Sequence, residues 1–359
     1  MKVCIIGNGL VSLTLANVLI KKNLKVHIIS AKKFSIYDKS RTLGISRSNI
    51  DYFNTEILSL KKILWEIKKI KIFSENLRNK EILNFKEDDK QIFSIIKNYK
   101  IQKLLFNNLK KSKFIKFRNY KFLNNLKKEK YNLIINCDLK NQITEKFFSN
   151  KIEKNYNSYA FTTIITHKKK NNDTAFQNFT NDGPIAFLPI SNNQTSVVYS
   201  MRKKWIKQKI DLKHLIRKFN PSYSITKIAD YSYFELKSLN VRKYYEGNIL
   251  AFGDLLHKIH PHAGQGFNMS LRDIRTLSSL IDEKINLGLE IDKSVCVKFQ
   301  KKIKDKNYLF SVGIDWIYEL FNFESKINTN IFSKSINAIG KNKILNSMFK
   351  KIADIGLRI

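Results

Sequence analysis

The stretch Gly253–Asp273, GDLLHKIHPHAGQGFNMSLRD, constrains the fold more than any other part of the chain. It follows the short apolar run Ile249–Phe252 and leads into an amphipathic segment reaching about Ile285. That order predicts a buried strand, a Gly-Asp pair at its carboxyl end, a loop, and a glycine-flanked turn that opens a helix. Ligands in open α/β sheets sit beyond the carboxyl ends of the strands, so Gly253-Asp254 stands where a carboxylate accepts hydrogen bonds from a cofactor's hydroxyls. Gly264 and Gly266 bring bare backbone to the same place. The N–H groups of the first turn after Gly266 carry the positive end of the helix dipole, which suits an oxyanion or an electron-rich ring that gains negative charge.

Lys2–Ser30, KVCIIGNGLVSLTLANVLIKKNLKVHIIS, predicts strand, glycine turn, helix and strand, the first unit of a Rossmann-type nucleotide-binding fold. Gly7 permits the tight turn and Gly9 lets the backbone approach a pyrophosphate. Ser12 stands where the third glycine of the fingerprint would be, and Ser30 ends the second strand.

The chain is long enough, at 359 residues, for two packed domains, and its 43% hydrophobic and 12% aromatic content is globular. A net charge of +36 raises the question of nucleic acid or an anionic membrane. The lysines, however, are strewn along the whole chain rather than gathered in one patch, so no specific nucleic-acid partner is expected. The three cysteines, Cys4, Cys137 and Cys296, are far apart and unpaired in spacing, which argues for a reducing compartment and no disulfide framework. Strand residues at the very start predict no signal peptide. Tyr308–Phe323 is interrupted by Asp315 and Glu319 and is too short and too charged to span a bilayer. His257, His260 and His262 stand together without a Cys or acidic ligand to complete a site, so no metal is expected.

The run Gly-Asp-x-x-His-x-x-His-Pro-x-Ala-Gly-Gln-Gly-x-Asn, followed by Arg272-Asp273, resembles the second flavin motif of FAD-dependent aromatic-ring monooxygenases, and within them the ubiquinone-biosynthesis hydroxylases. The resemblance runs across nearly the whole chain. It implies FAD as cofactor and NAD(P)H as reductant, with contacts from Gly7, Gly9, Leu10, Val11 and Ser30 at the first turn. Arg41, in DKSRTLGIS, matches the arginine that reaches the FAD phosphates or ribityl chain, and Gln102 matches a glutamine that touches the cofactor. Asp138 keeps the acidic residue of the Asp-Gly motif. Gly253, Asp254, Pro261, Gly264, Gln265, Gly266, Phe267 and Asn268 complete the set, with His260 and Pro261 shaping the loop beside the flavin. Four departures stand out: Ser30 where relatives carry an acid for the adenosine ribose, Leu139 and Gln142 in the Asp-Gly motif, and His262 for an aliphatic residue. A hydroxyl makes no charge-assisted pair, so Ser30 predicts weaker dinucleotide binding than the family norm. Leu139 puts efficient reduction by NAD(P)H in doubt.

Tyr156–Met201 alternates apolar and polar residues in stretches about ten residues apart, which predicts an antiparallel sheet. NYNSYAFTTIITH, TAFQNFT and GPIAFLPI resemble the substrate-domain sheet of the same hydroxylases. The expected architecture is therefore α/β: a discontinuous FAD-binding domain (1–75, 93–150 and 240–290), a substrate domain (76–92 and 151–239), and a helical C-terminal region (291–359). By resemblance the reaction is hydroxylation of the ring of a polyprenylated phenol in ubiquinone biosynthesis, using NAD(P)H and O₂. No side chain is assigned as catalytic acid or base. Two alternatives stay open: a catalytically weak or inactive subunit of a biosynthetic complex, motivated by Ser12, Ser30 and Leu139, and a basic protein that binds polyanions or membranes. A cytoplasmic location is expected, and the lysine-rich helical tail leaves peripheral membrane contact open.

Overall fold

The computed structural model describes residues 1–31, 39–77, 80–86, 91–126, 128–203, 211–259 and 265–326, together with Lys334 and Asp354. Its first sheet is six-stranded. β1 (Lys2–Ile6) lies at the centre, parallel to β2 (Lys25–Ser30) on one side and to β9 (Leu133–Asn136) on the other. β8 (Ile115–Asn119) extends it beyond β2, and β17 (Ile249–Ala251) with its antiparallel edge β16 (Tyr245–Glu246) extends it beyond β9. Val3, Cys4, Ile5, Ile6, Val26, Ile28 and Ile29 are wholly buried, because a parallel sheet is covered on both faces.

Helices α1 (Leu10–Lys21), α3 (Asn98–Lys110), α6 (Gln265–Asn286) and α7 (Lys293–Lys326) share one apolar core with this sheet. Leu13, Leu15, Ala16 and Leu19 of α1 pack there beside Ile101, Leu105 and Leu109 of α3. A buried polar link joins the two helices: Asn17 Nδ2 donates to the Leu105 carbonyl (3.2 Å), and Asn108 Nδ2 donates to Asn17 Oδ1 (2.8 Å).

A nine-stranded, mainly antiparallel sheet forms the second layer. Its order is β18 (His257–Lys258), β15 (Ser232–Val241), β10 (Lys151–His167), β13 (Gln194–Arg202), β12 (Gly183–Ser191), β11 (Thr174–Thr180), β5 (Lys69–Ser74) and β6 (Lys80–Lys86), with β14 (Ile225–Ile228) pairing β10. The four strands expected between Tyr156 and Met201 are all present, and the first begins earlier, at Lys151. Helix α5 (Leu212–Lys218) covers one face, with Leu212 and Ile216 buried against Ile165, Phe187, Val197 and Tyr199.

A three-stranded sheet, β3 (Thr42–Ser46), β7 (Phe93–Lys97) and β4 (Trp65–Ile67), sits between the two larger ones. The sequence from Ile50 to Asn84 predicts a helical period followed by a short extended stretch; helix is realised only in α2 (Arg47–Tyr52) and the wide turn Phe53–Ile57, and the extended part grows into β4, β5 and β6. Tertiary pairing decides this: Ile67 and Ile95 are buried with Ala175 of β11, a contact that no local pattern encodes. The remaining short helix, α4 (Gln142–Phe147), follows β9. The fold is the α/β architecture expected, a parallel nucleotide-binding-type sheet joined to an antiparallel one, with the long helix α7 after them.

Candidate active site

Four parallel strands, β17, β9, β1 and β2, end at one edge of the six-stranded sheet, and each carries one predicted cofactor element just beyond its end. These are Gly253-Asp254 after β17, Asp138 after β9, Gly7 and Gly9 after β1, and Ser30 at the tip of β2. The sequence scatters them over some 250 positions; the topology gathers them, as strand ends in such sheets do around a ligand.

The first turn is built to admit a phosphate. Gly7 has φ +106°, a conformation that favours glycine, and a β-carbon there would meet Ser12 Oγ at 3.4 Å and Asp138 Cβ at 3.6 Å. Gly9 faces open space, since a β-carbon built on it meets nothing within 4 Å. As N-cap of α1, Gly9 makes no side-chain cap, so the first N–H groups of a 12-residue helix are left for a ligand. Gly253, at φ +62°, packs against Val11, whose Cγ1 lies 3.2 Å from its virtual β-carbon. The β1 turn and the Gly-Asp turn therefore touch.

Around Asp138 the departure Leu139 has a local remedy. Asn136 Oδ1 accepts from the Asp138 N–H (3.2 Å) and from Asn141 Nδ2 (3.0 Å), and Thr144 Oγ1 donates to the Asp138 carbonyl (2.6 Å). Asn141 then caps α4 through the N–H groups of Ile143 and Thr144, a cap that contributes about 1 kcal/mol. The Asp138 carboxylate accepts from the Tyr120 hydroxyl and from the Lys140 N–H (2.9 Å). Leu139 packs on the main core. The spacing Asn136, Asp138, Asn141 and Thr144 was the available sequence signal for this turn.

The first turn of α6 is fastened to β3. Asn268, 1% exposed, accepts at Oδ1 from the Ser46 N–H (2.9 Å) and Asn49 Nδ2 (3.0 Å), and its Nδ2 donates to the Gly44 carbonyl (2.9 Å). Phe267 is buried in the core, so the side chains of both residues serve the protein, while Gln265 Oε1 is buried with no partner among the described residues. Ser46 and Asn49, the partners that hold Asn268, were not singled out from sequence. Pro261 and Gly264, with His260 and His262, lie outside the described residues.

Arg41 sits where the layers meet. Its guanidinium lies 4.5 Å above the Phe234 ring of β15, while the neighbouring Ser40 hydroxyl contacts Thr162 Oγ1 (3.1 Å) and Ser232 Oγ (2.8 Å). Thr42 donates to Ser196 Oγ (2.9 Å). The face of the nine-stranded sheet that bears Thr162, Ser196, Ser232 and Phe234 is thus turned toward β3. Gln102 is half-buried on α3, and Asp254 is exposed. Among the described residues no cluster of three His, Cys, Asp or Glu side chains could hold a metal. Buried thiols are poor nucleophiles here: burial pushes Cys296 up to about 12.

The residues present fit FAD: an uncapped helix start beyond open glycine backbone, an exposed carboxylate at a strand end, and, at the start of α6, a buried amide oxygen with no partner among the described residues. The family described as FAD binding domain matches residues 166–286. The ubiquinone biosynthesis monooxygenase COQ6 of Dictyostelium discoideum is 23% identical over 440 residues, covering 96% of this chain and 88% of the relative. The 3-demethoxyubiquinol 3-hydroxylase of Escherichia coli is 31% identical over 157 residues, covering 42% of this chain and 40% of its own. Among solved structures, Klebsiella pneumoniae HpxO complexed with FAD and uric acid is similar in fold with a TM-score of 0.75 at 9% identity, covering 99% of this chain and 97% of that one. The p-nitrophenol 4-monooxygenase PnpA of Pseudomonas putida gives 0.74 at 11% identity, covering 99% and 98%.

Fold and matched domain together define the class, a FAD-dependent monooxygenase in which a nucleotide-binding sheet is joined to an antiparallel one. Within that class the chain is similar to the ubiquinone-biosynthesis hydroxylases, matching one such relative over 96% of its length and another over 42%.

Proposed function

We propose that this protein hydroxylates the aromatic ring of a polyprenylated phenol in ubiquinone biosynthesis, with FAD as cofactor, NAD(P)H as reductant and O₂ as oxidant. The observation that carries the reading is the match to a ubiquinone biosynthesis monooxygenase over 96% of this chain. The E. coli 3-demethoxyubiquinol 3-hydroxylase points to the same class of ring.

When bound, FAD supplies the redox chemistry, accepting hydride from the reductant and activating O₂. The chain's own groups bind and orient it. The N–H groups at the start of α1, beyond Gly9, would hold the pyrophosphate, and the Asp254 carboxylate would accept from the ribityl hydroxyls. Peptide N–H groups at the start of α6 would face the electron-rich ring, their direction set by the hold of Asn268 on β3. The face of the nine-stranded sheet that carries Phe234 would wall the substrate, keeping water from the reacting ring. No side chain is given a proton-transfer role.

Contact with a membrane surface is part of this reading, since the substrate is greasy. No helix among the described residues is long and apolar enough to cross a membrane. Trp316 and Phe323 on α7 are nevertheless 64% and 60% exposed, on the part of the helix that follows its lysine-rich stretch Lys298–Lys306.

The test is the visible spectrum of the folded protein with and without FAD, followed by NAD(P)H. Flavin bands that bleach faster when a prenylated phenol is present, with a hydroxylated product by mass spectrometry, are the expected result. A protein that stays colourless in excess FAD would overturn the proposal.

A further inference from the structure

Ser46 is gripped from two sides. Its N–H donates to Asn268 Oδ1 (2.9 Å), and its hydroxyl donates to the main-chain carbonyl of Asp354 (3.0 Å), 308 positions later in the chain. Ser48 repeats the pattern: its N–H donates to Asp354 Oδ1 (2.9 Å), its hydroxyl to the Asp354 carbonyl (3.1 Å), and its own carbonyl accepts from Arg275 Nη2 of α6 (3.0 Å). The local sequence shows why α2 needs this. Ser46 occupies the N-cap position but makes no side-chain cap, and the first turn of α2 has no acidic residue. Asp354 supplies both the missing acceptor and the missing negative charge. Its carboxylate also acts on Arg272, a neighbour of Asp273 on α6.

We propose that Asp354 is a positioning residue of the cofactor pocket, acting through Ser46, Ser48 and Asn268 on β3 and the first turn of α6. The inference rests on the reading of that turn as a flavin site. Asp354 fixes the corner where β3 passes into α2, and the Asn268 side-chain oxygen accepts from that corner, from the Ser46 N–H and Asn49 Nδ2. A corner free to shift would carry the α6 turn with it and loosen the cofactor's N–H donors.

The test uses the full chain as wild type, Asp354→Ala and Asp354→Asn, titrated with FAD and followed by flavin fluorescence and absorption. The alanine variant is expected to raise the Kd about tenfold and to blur the flavin band structure, whereas asparagine, which keeps the acceptor in place, stays within about threefold of wild type. An alanine variant that melts earlier but binds FAD as wild type does would assign Asp354 to stability alone and overturn the proposal. If alanine does not fold, Asp354→Glu replaces it, with the carboxylate one carbon out of place and the same rise in Kd expected; a wild-type Kd there would also overturn it. Failure of the wild type itself to bind FAD would instead remove the flavin reading, and this inference with it.

Discussion

His257 and Asp273 meet in the interior as a hydrogen-bonded pair, Nε2 to Oδ2, with side chains only 1% and 2% exposed. The second carboxylate oxygen accepts from Asn307 Nδ2 at 3.0 Å. One aspartate thereby ties β18, α6 and α7 together just beside the loop that joins Gly253-Asp254 to the start of α6.

Replacement of Asp273 by alanine leaves two buried donors without an acceptor. The expected loss of stability is about 3–5 kcal/mol, against less for Asp273→Asn, which keeps one acceptor oxygen. Urea denaturation measures it. A loss below about 1 kcal/mol for the alanine variant would mean that the pair is incidental.

Gly7 and Gly9 are separable. Gly7→Ala forces a side chain into a left-handed conformation and should cost about 1–2 kcal/mol of stability as well as cofactor affinity. Gly9→Ala meets open space, so stability should hold within about 0.5 kcal/mol, while FAD affinity falls at least about tenfold because the methyl takes the phosphate's place. Thermal melts and FAD titrations on both proteins decide it; equal FAD affinity in Gly9→Ala and wild type would place the pyrophosphate elsewhere.

Ser30 ends β2, at the position where the family resemblance implies an acid. Ser30→Asp introduces a charge-assisted acceptor at that edge and should tighten FAD binding about fivefold to tenfold. Unchanged or weaker binding would show that the adenosine ribose does not reach the tip of β2.

His27 makes stability depend on pH. It is buried in β2 with Nδ1 2.7 Å from the Tyr131 hydroxyl, and burial, helped by Lys2, holds its pKa below the ordinary imidazole value. The folded state therefore binds the proton less readily than the unfolded one. The contribution of His27 is fully present above the ordinary value and is lost as pH falls through it toward the folded one. Urea midpoints taken from pH 7 down to 5 should fall less steeply in His27→Gln than in wild type, and parallel curves would refute the assignment.

The strand-turn-helix units that start from β1 and β17 were legible because their signals are local. Apolar runs of strand length, glycines at the turn and a 3.6-residue period each lie within about thirty residues. The alternation between Tyr156 and Met201 announced the antiparallel sheet in the same way. What stayed hidden was pairing over long separations. The parallel pairing of β5 with β11 and the burial of Ile67 and Ile95 under Ala175 turned an expected helical stretch into strands.

At the site, the sequence alone determined which residue types were on offer: glycines at two turns, a carboxylate after each of two strands, and an amide after the last glycine. It also announced the departures Ser30 and Leu139, and the spacing of Asn136, Asn141 and Thr144 was its one hint of the hydrogen bonds that the turn beside Leu139 makes. Only the tertiary structure decided that four strand ends share one edge, that Asn268 spends its side chain on β3, and that Asp354 caps a helix more than three hundred residues earlier. Side-chain hydrogen bonds of that kind depend on where folding brings two backbones together, and a period or a spacing carries no information about a partner so far along the chain.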